Sequence, residues 1–128
     1  MKDKYILDSS IWIELERKNS RICDSVYPLI EKNQICLVDV IVVEVLRGTR
    51  SRKDFLKLQQ AFADFHCLST LWGPIAELAF VMAKKGFHPP LIDLYIAQCA
   101  LENDKVLVTQ DKHFVHISKV VPLKFEWL

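Results

Sequence analysis

Two patterns of apolar residues alternate along this 128-residue chain. One is the short run of consecutive apolar residues that is typical of a strand buried on both faces. The other is the three-to-four-residue repeat of an amphipathic helix. The short runs predict strands at residues 4–8, 35–38, 66–69, 106–109 and 120–121. Because helical segments separate them, we predict an α/β fold, a three-layer α/β/α arrangement around a central, mostly parallel sheet of four or five strands.

The helical segments carry start and stop signals. Ser9 and Ser10 can cap the first helix, and Ser51, followed by an acid three residues later, begins a clear amphipathic one. Residues 40–47 are ambiguous, since their β-branched residues favour a strand whereas the following Gly48 is typical of a helix end, and we interpret them as a helix. Further helices are predicted at 22–33, after Pro74, from just before Asp93 to a turn at 103–104, and near His113.

Length and composition indicate one folded domain spanning residues 1–128, with 51% hydrophobic and 26% charged residues. No apolar run approaches the ~18 residues of a membrane span, and the N-terminus lacks the hydrophobic region of a secretory signal. The four cysteines form no CxxC motif, which indicates reduced, buried thiols, with His66 and Cys67 in the core. We therefore expect a cytoplasmic protein without a membrane segment.

Basic residues concentrate in one segment, although the formal net charge is only +1. Between residues 47 and 57, five basic side chains outnumber the single Asp54. This imbalance predicts a local basic face in a chain that is nearly neutral overall. Arg47 and Arg50 are candidate phosphate contacts on that face, and a solvated turn is an equally good interpretation.

Four of the sixteen acidic residues lie in segments whose other residues are mostly apolar. Asp8 ends the first predicted strand, Asp111 follows the strand 106–109, and Glu44 and Asp93 lie in apolar helical segments. An unpaired carboxylate in such surroundings is costly, and the C-terminal ends of parallel strands are where sites form in open sheets. A single acid of this kind is usually a helix cap or a hydrogen-bonded buried group. Four in matching contexts favour a common site.

Converging carboxylates repel one another, so a shared site needs a cation. Two carboxylates about 5 Å apart repel by roughly 3 kcal/mol at an effective dielectric of about 20. Oxygen ligands suit Mg²⁺ or Mn²⁺ better than zinc. Because such ions activate water and stabilise charge on phosphate oxygens, phosphodiester hydrolysis is the chemistry we expect beside a basic face.

Four segments resemble the motif blocks of PIN-domain ribonucleases, and their order and the chain length are similar to those of VapC-type toxins of type II toxin–antitoxin pairs. The segments are ILDSSIWIE, VIVVEVLRG, IDLYIAQCAL and VLVTQDKHF. The resemblance covers nearly the whole chain and implies a PIN-like fold. It also implies that Asp8, Glu44, Asp93 and Asp111 form the Mg²⁺ or Mn²⁺ site and carry the catalytic role.

The same resemblance implies an activity and its partners. It implies a metal-dependent endoribonuclease that hydrolyses RNA through a metal-activated water and leaves a 5′-phosphate. Ser10 and Thr109 match the small hydroxyl residues that accompany the first and last aspartates of the family. Arg47 and Arg50 would then contact the RNA. A homodimer and a small antitoxin that blocks the site are the expected protein partners.

Several residues depart from the family pattern or allow two interpretations. Residues 88–90, His-Pro-Pro, precede the third block where many relatives have a glycine-containing turn. Asp39 stands where a small hydroxyl residue is commoner, and it either caps the following helix or joins the site. His113 and His116 are three residues apart, as in a metal pair, but a solvated helix face is the better interpretation.

Two other functions are compatible with parts of the pattern. A phosphatase of the haloacid dehalogenase type also has an aspartate after its first strand, but it needs a second aspartate where this chain has Ser10. A catalytically inactive PIN-like protein that serves as an RNA interaction scaffold is the other alternative. The presence of all four acids disfavours it.

Overall fold

The computed structural model describes residues 3–128, and its centre is a five-stranded, all-parallel sheet. The strand order is β3-β2-β1-β4-β5. The strands are β1 (Tyr5–Leu7), β2 (Ile35–Val38), β3 (Cys67–Leu68), β4 (Val106–Thr109) and β5 (Phe125–Trp127). The predicted α/β class and parallel sheet are confirmed.

Seven helices connect these strands within residues 3–128. They are α1 (Ser9–Glu16), α2 (Ser20–Glu31), α3 (Asp39–Arg47), α4 (Arg52–Phe62), α5 (Trp72–Lys84), α6 (Leu91–Asn103) and α7 (Lys112–Ser118). The ambiguous segment 40–47 is helical, as predicted, because burial of Ile41 and Val45 on one face outweighs the weak helix propensity of β-branched residues. Ser51 caps α4 as predicted, since its hydroxyl accepts the Asp54 N–H at 3.1 Å.

The strand order reverses between β1 and β4. The chain runs outward from β1 through β2 to β3, then returns to place β4 on the other side of β1. Leu7 pairs with Val108, and the Asp8 N–H donates to the Val108 carbonyl at 2.9 Å. In parallel sheets such a reversal leaves a crevice beyond the C-terminal strand ends, where ligands bind. Asp8 and Asp111 both follow these ends.

Helix α6 has more buried residues than any other helix within residues 3–128. Six of its thirteen residues are buried, and they lie on several sides of the helix rather than on one stripe. All four residues of β2 are buried as well, as expected of a strand covered on both faces. Since α6 carries Asp93 in its first turn, burial of the helix fixes where that carboxylate lies.

Three predictions about the polypeptide are wrong. The last strand is residues 125–127 rather than 120–121, because the N–H groups of Val120 and Val121 both donate to the Ile117 carbonyl and close α7. His66 and Cys67 are exposed rather than buried, since β3 is a short edge strand.

The other cysteines are buried and all four are free thiols. Burial raises the thiol pKa of Cys36 and Cys99 to about 12. These two thiols are therefore protonated and poorly nucleophilic at neutral pH. Within residues 3–128, no helix has the length and apolar character needed to cross a bilayer.

Candidate active site

Asp8 is a buried carboxylate held by three hydrogen-bond donors. Its side chain caps α1, since Oδ1 accepts the Ser9 N–H at 2.8 Å, and it does so in place of the serine cap predicted from sequence. Oδ2 accepts the hydroxyls of Ser10 at 3.2 Å and Thr109 at 3.0 Å. Burial raises the pKa of Asp8 and the three donors lower it, with a net rise to which Asp111 also contributes.

Thr109 joins Asp8 to Asp111. Its hydroxyl donates to Asp8 Oδ2 and accepts the Asp111 N–H at 2.9 Å, and the residue is fully buried at the end of β4. The single hydroxyl thus uses both its donor and its acceptor capacity. The relative position of the two aspartates is therefore set by this bridge as well as by the sheet.

Asp93, Asp111 and His113 meet on the solvent side of this bridge. His113 Nδ1 lies 2.9 Å from Asp93 Oδ2 and 3.1 Å from Asp111 Oδ1. Burial, the charge of Asp111 and, more weakly, that of Asp8 raise the pKa of Asp93 to about 6, against the opposing effect of His113. The carboxyl groups from α6, β1 and the end of β4 are therefore close enough to disfavour one another's charge.

Glu44 lies at the edge of the acid cluster. It projects from α3, is half-buried, and its pKa is raised by burial and by the charge of Asp8. The Ser9 hydroxyl and Arg47 act in the opposite direction. The structure thus brings Asp8, Asp93 and Asp111 together, with Glu44 electrostatically coupled to the first of these.

Asp39 does not join the cluster. Its Oδ2 accepts the Tyr95 hydroxyl at 3.0 Å, and its Oδ1 accepts the Val40 N–H at 2.8 Å. The Tyr95 oxygen in turn accepts the Thr70 N–H at 3.1 Å. Of the two interpretations of Asp39, the structure supports a role at the start of α3, where it ties that helix to α6.

The His-Pro-Pro segment does not move Asp93 away from the cluster. Pro90 precedes α6 without a side-chain cap, and its carbonyl accepts the Leu94 N–H at 3.1 Å. Asp93 consequently lies in the first turn, where the partial positive charge of the helix N-terminus favours a carboxylate.

His113 is the residue whose contacts sequence reasoning missed. His116 is exposed on α7, as predicted for a solvated face. His113 is about half exposed yet contacts both Asp93 and Asp111, because Asp111 caps α7 and the His113 N–H donates to Asp111 Oδ1 at 2.9 Å. The aspartate two residues before a histidine was the available signal, since such a cap orients the first turn.

The donor set fits a divalent cation. The nearest ligand atoms of Asp93, Asp111 and His113 all lie within 4.8 Å of one another. Asp8 adds a third carboxylate whose pKa, like that of Asp93, is raised by burial and negative neighbours. A bound cation would remove the repulsion that raises these pKa values, and hard oxygen ligands suit Mg²⁺ or Mn²⁺.

A shallow depression lined by cationic side chains lies at the C-terminal end of α3. It has a volume of about 480 Å³, and its lining includes Arg47, Arg50, Arg52 and the ring of Phe55. Arg47 and Arg50 are both exposed, and the Arg52 guanidinium lies 5.1 Å from the Phe55 ring centroid. The charge of Arg47 also lowers the pKa of Glu44, so this residue of the depression lies near the edge of the acid cluster.

Solved structures share this fold over nearly their whole length. VapBC from Salmonella typhimurium, in a DNA-bound crystal structure, has a TM-score of 0.78 at 17% identity, with 98% of each chain covered. VapBC2 from Rickettsia felis, bound to a DNA fragment from their promoter, has a TM-score of 0.77 at 19% identity, with 97% of this chain and 98% of that chain covered. A toxin-antitoxin complex from Klebsiella pneumoniae has a TM-score of 0.69 at 21% identity, with 94% of this chain and 98% of that chain covered. At such identities the likeness establishes the fold alone.

Fold and site together define an α/β protein with an acid cluster at the strand-order reversal of a parallel sheet. The family model of the PIN domain matches residues 5–120, and the chain therefore belongs to the PIN domain family. The family resemblance predicted from the four sequence segments is confirmed. PIN domains are in general nucleases, and such nucleases generally use a divalent metal. Comparison with curated proteins gives no match.

Proposed function

We propose that this chain is a Mg²⁺- or Mn²⁺-dependent endoribonuclease and the toxin of a toxin–antitoxin pair. The observation that carries the proposal is the Thr109 bridge, which holds buried Asp8 next to Asp111, with Asp93 facing Asp111. Three carboxyl groups with mutually unfavourable charges at one strand-order reversal are the arrangement that a divalent cation would stabilise. Membership of a family of nucleases supports the same conclusion.

Asp8, Asp93, Asp111 and Glu44 would hold the metal ion. When bound there, the ion supplies a water of lowered pKa and neutralises charge on the phosphate. Asp8 is held rigidly by its three donors, so its orientation costs little to maintain when substrate binds. Glu44 is half-buried on α3 and lies beside the exposed Arg47, which is a candidate contact for the substrate's phosphate groups.

RNA is the substrate that the basic depression favours. Arg47, Arg50 and Arg52 line the depression at the end of α3, and guanidinium binds phosphate with charge-assisted hydrogen bonds. Of these three, Arg47 acts on Glu44. The ring of Phe55 lines the same depression under the Arg52 guanidinium, and an unpaired base that stacked there would have to compete with this guanidinium for the ring. An RNA strand that contacts this face would pass next to Glu44.

The solved structures that share the fold support a proposal about the antitoxin partner. One of those proteins is in a toxin-antitoxin complex, and others are VapBC complexes bound to DNA. We propose that this chain likewise binds an antitoxin that covers its acid cluster, forms a homodimer, and acts in the cytoplasm. Light scattering of the purified protein, alone and with a co-expressed antitoxin, would measure both assemblies.

The test is cleavage of single-stranded RNA by the purified full chain. We expect cleavage with Mg²⁺ or Mn²⁺, none with EDTA, and 5′-phosphate ends on the products. Asp8→Asn and Asp93→Asn should each lower the rate by at least about a hundredfold, since they remove a charge that the metal needs. The matched control is Asp24→Asn, because Asp24 is exposed on α2. Equal cleavage by all four proteins would sink the assignment of nuclease activity to this cluster.

Growth of a bacterial host provides a separate test of the toxin role. Induced expression of the wild-type chain should arrest growth, and Asp93→Asn at the same expression level should not. RNA cleavage without growth arrest would support the nuclease activity and contradict the toxin role.

A further inference from the structure

We propose that His113 is an additional ligand of the metal ion, so that this chain's site has a mixed nitrogen and oxygen ligand set that favours Mn²⁺ over Mg²⁺. The inference rests on the proposed metal site and goes beyond its four acids. It concerns which ion the site selects, and it assigns the contact that His113 makes.

The first supporting observation is the spacing of the ligand atoms. His113 Nδ1 is 2.9 Å from Asp93 Oδ2 and 3.1 Å from Asp111 Oδ1. Adjacent ligands around an octahedral ion with bonds of about 2.1 Å lie about 3 Å apart. One ion could therefore contact all three atoms with little side-chain movement. His116, on the same helix, has no ligand atom in this group.

The second observation is the way in which the imidazole is held. Asp111 caps α7, and its Oδ1 accepts the backbone N–H of His113 at 2.9 Å. That cap fixes the first turn of α7 and with it the starting point of the His113 side chain. Asp93 approaches from the buried helix α6, so two rigid elements position the ligand atoms. Ligands that are preorganised in this way lose little entropy when an ion binds.

The chemistry of the ligands decides the selectivity. Mg²⁺ prefers oxygen and keeps several of its waters. Mn²⁺ also prefers oxygen, but it belongs to the first-row series of metals, whose ions accept imidazole nitrogen more readily than Mg²⁺ does. An imidazole that replaces an oxygen or water ligand should therefore increase the affinity for Mn²⁺ and leave that for Mg²⁺ nearly unchanged. The competing interpretation is that His113 only donates a hydrogen bond to the two carboxylates. Under that interpretation a cation displaces the imidazole, and removing His113 strengthens the binding of both ions.

The experiment is calorimetric titration of the EDTA-treated full chain with Mn²⁺ and with Mg²⁺. We expect His113→Ala to weaken Mn²⁺ binding by about tenfold or more and Mg²⁺ binding by less than about twofold. His116→Ala is the matched control and should change neither. Pulsed electron paramagnetic resonance of the Mn²⁺-loaded protein gives a readout that does not depend on activity. A nitrogen coupling should be present in wild type and His116→Ala, and absent in His113→Ala.

The outcomes separate the two proposals. A fall of equal size for both ions, a rise in Mn²⁺ affinity, or a nitrogen coupling that persists in His113→Ala would overturn the role of His113. Asp93→Asn should weaken the binding of both ions. If Asp93→Asn binds both ions as wild type does, the metal site itself is wrong. If Asp93→Asn binds neither ion and His113→Ala binds both as wild type does, only His113 is wrongly assigned.

Discussion

The Thr109 hydroxyl donates to Asp8 Oδ2 at 3.0 Å and so links two residues 101 positions apart in the chain. The same oxygen accepts the Asp111 N–H at 2.9 Å, which brings β1, β4 and the start of α7 to one point. A fully buried hydroxyl with both functions satisfied is costly to replace, because its former partners are left without a hydrogen bond.

Thr109→Val should therefore destabilise the protein by about 1–3 kcal/mol, although valine has nearly the same shape. The Asp8 carboxylate would lose one of its three donors, and the Asp111 N–H its acceptor. Urea unfolding measures the change as a lower midpoint at an unchanged slope. Thr109→Ser retains the hydroxyl and should retain metal binding, which separates the effect of the bridge from that of the methyl group. A valine variant as stable as wild type would show that the bridge contributes nothing.

The raised pKa of Asp93 predicts how the stability of the metal-free protein depends on pH. Its pKa is about 6 in the folded state and 3.8 for an ordinary aspartate, so between these pH values the folded state binds more protons than the unfolded state. Stability therefore falls as the pH rises from about 4 to 6, and the loss of about 1–3 kcal/mol is complete above pH 6. Burial and negative neighbours also raise the pKa of Asp8 and Glu44, which act in the same direction.

Asp93→Asn has no titrating group at this position, so the variant should gain stability relative to wild type as the pH rises. Urea midpoints in EDTA at pH 4.5, 5.5, 6.5 and 7.5 would measure the difference. The exposed Asp24→Asn serves as control and should parallel wild type. A difference between Asp93→Asn and wild type that does not change with pH would contradict the prediction.

Added Mg²⁺ or Mn²⁺ should raise the melting temperature of the wild-type protein. An ion at a hundred times its dissociation constant stabilises the folded state by about 2.7 kcal/mol. The increase should be larger at pH 7.5 than at pH 5, because protons compete with the ion for Asp93 at the lower pH. Thermal unfolding by circular dichroism checks this, and a shift of equal size in Asp93→Asn would argue for binding elsewhere.

Tyr95 tests whether the contact between α3 and α6 stabilises the fold independently of the metal. Its hydroxyl donates to Asp39 Oδ2 and accepts the Thr70 N–H, and the side chain is nearly buried. Tyr95→Phe should cost about 1–3 kcal/mol in urea unfolding, with or without metal. Asp39→Asn keeps an acceptor for the hydroxyl and should cost less. Wild-type stability of Tyr95→Phe would count against this contact.

Arg47 and Arg50 should contribute to RNA affinity by neutralising phosphate charge. Arg47→Ala and Arg50→Ala should each weaken binding and reduce the slope of log Kd against log salt concentration by about 0.7 for each phosphate that the arginine neutralises. Filter binding of a single-stranded RNA at several salt concentrations, with catalysis blocked by EDTA, gives this slope. Lys32→Ala is a matched control. Lys32 lies between α2 and the start of β2, at the N-terminal ends of the strands, whereas the acid cluster lies at their C-terminal ends. A uniform effect of all three variants would indicate only a response to net charge.

The local sequence pattern was sufficient to predict most of the helices and strands and the α/β fold class. The alternation of short apolar runs with helical repeats predicted the parallel sheet, and the four motif segments predicted the PIN family, both of which are confirmed. The wrong predictions concern places where a longer-range contact decided. Val120 and Val121 have strand propensity, yet their N–H groups bond to Ile117, and the pairing with β4 falls to residues 125–127. The edge position of β3 exposes Cys67 in the same way.

The sequence by itself determined which acids lie in apolar company and at which strand ends, because hydrophobic period and capping are local properties. Only the tertiary structure decided which atoms meet. It placed Asp39 against Tyr95 rather than in the cluster, and it brought His113 against Asp93, twenty positions earlier in the chain. Such meetings depend on how α7 packs against α6 and on the order of the strands. Burial then raises the pKa of Asp93, which no spacing along the chain encodes.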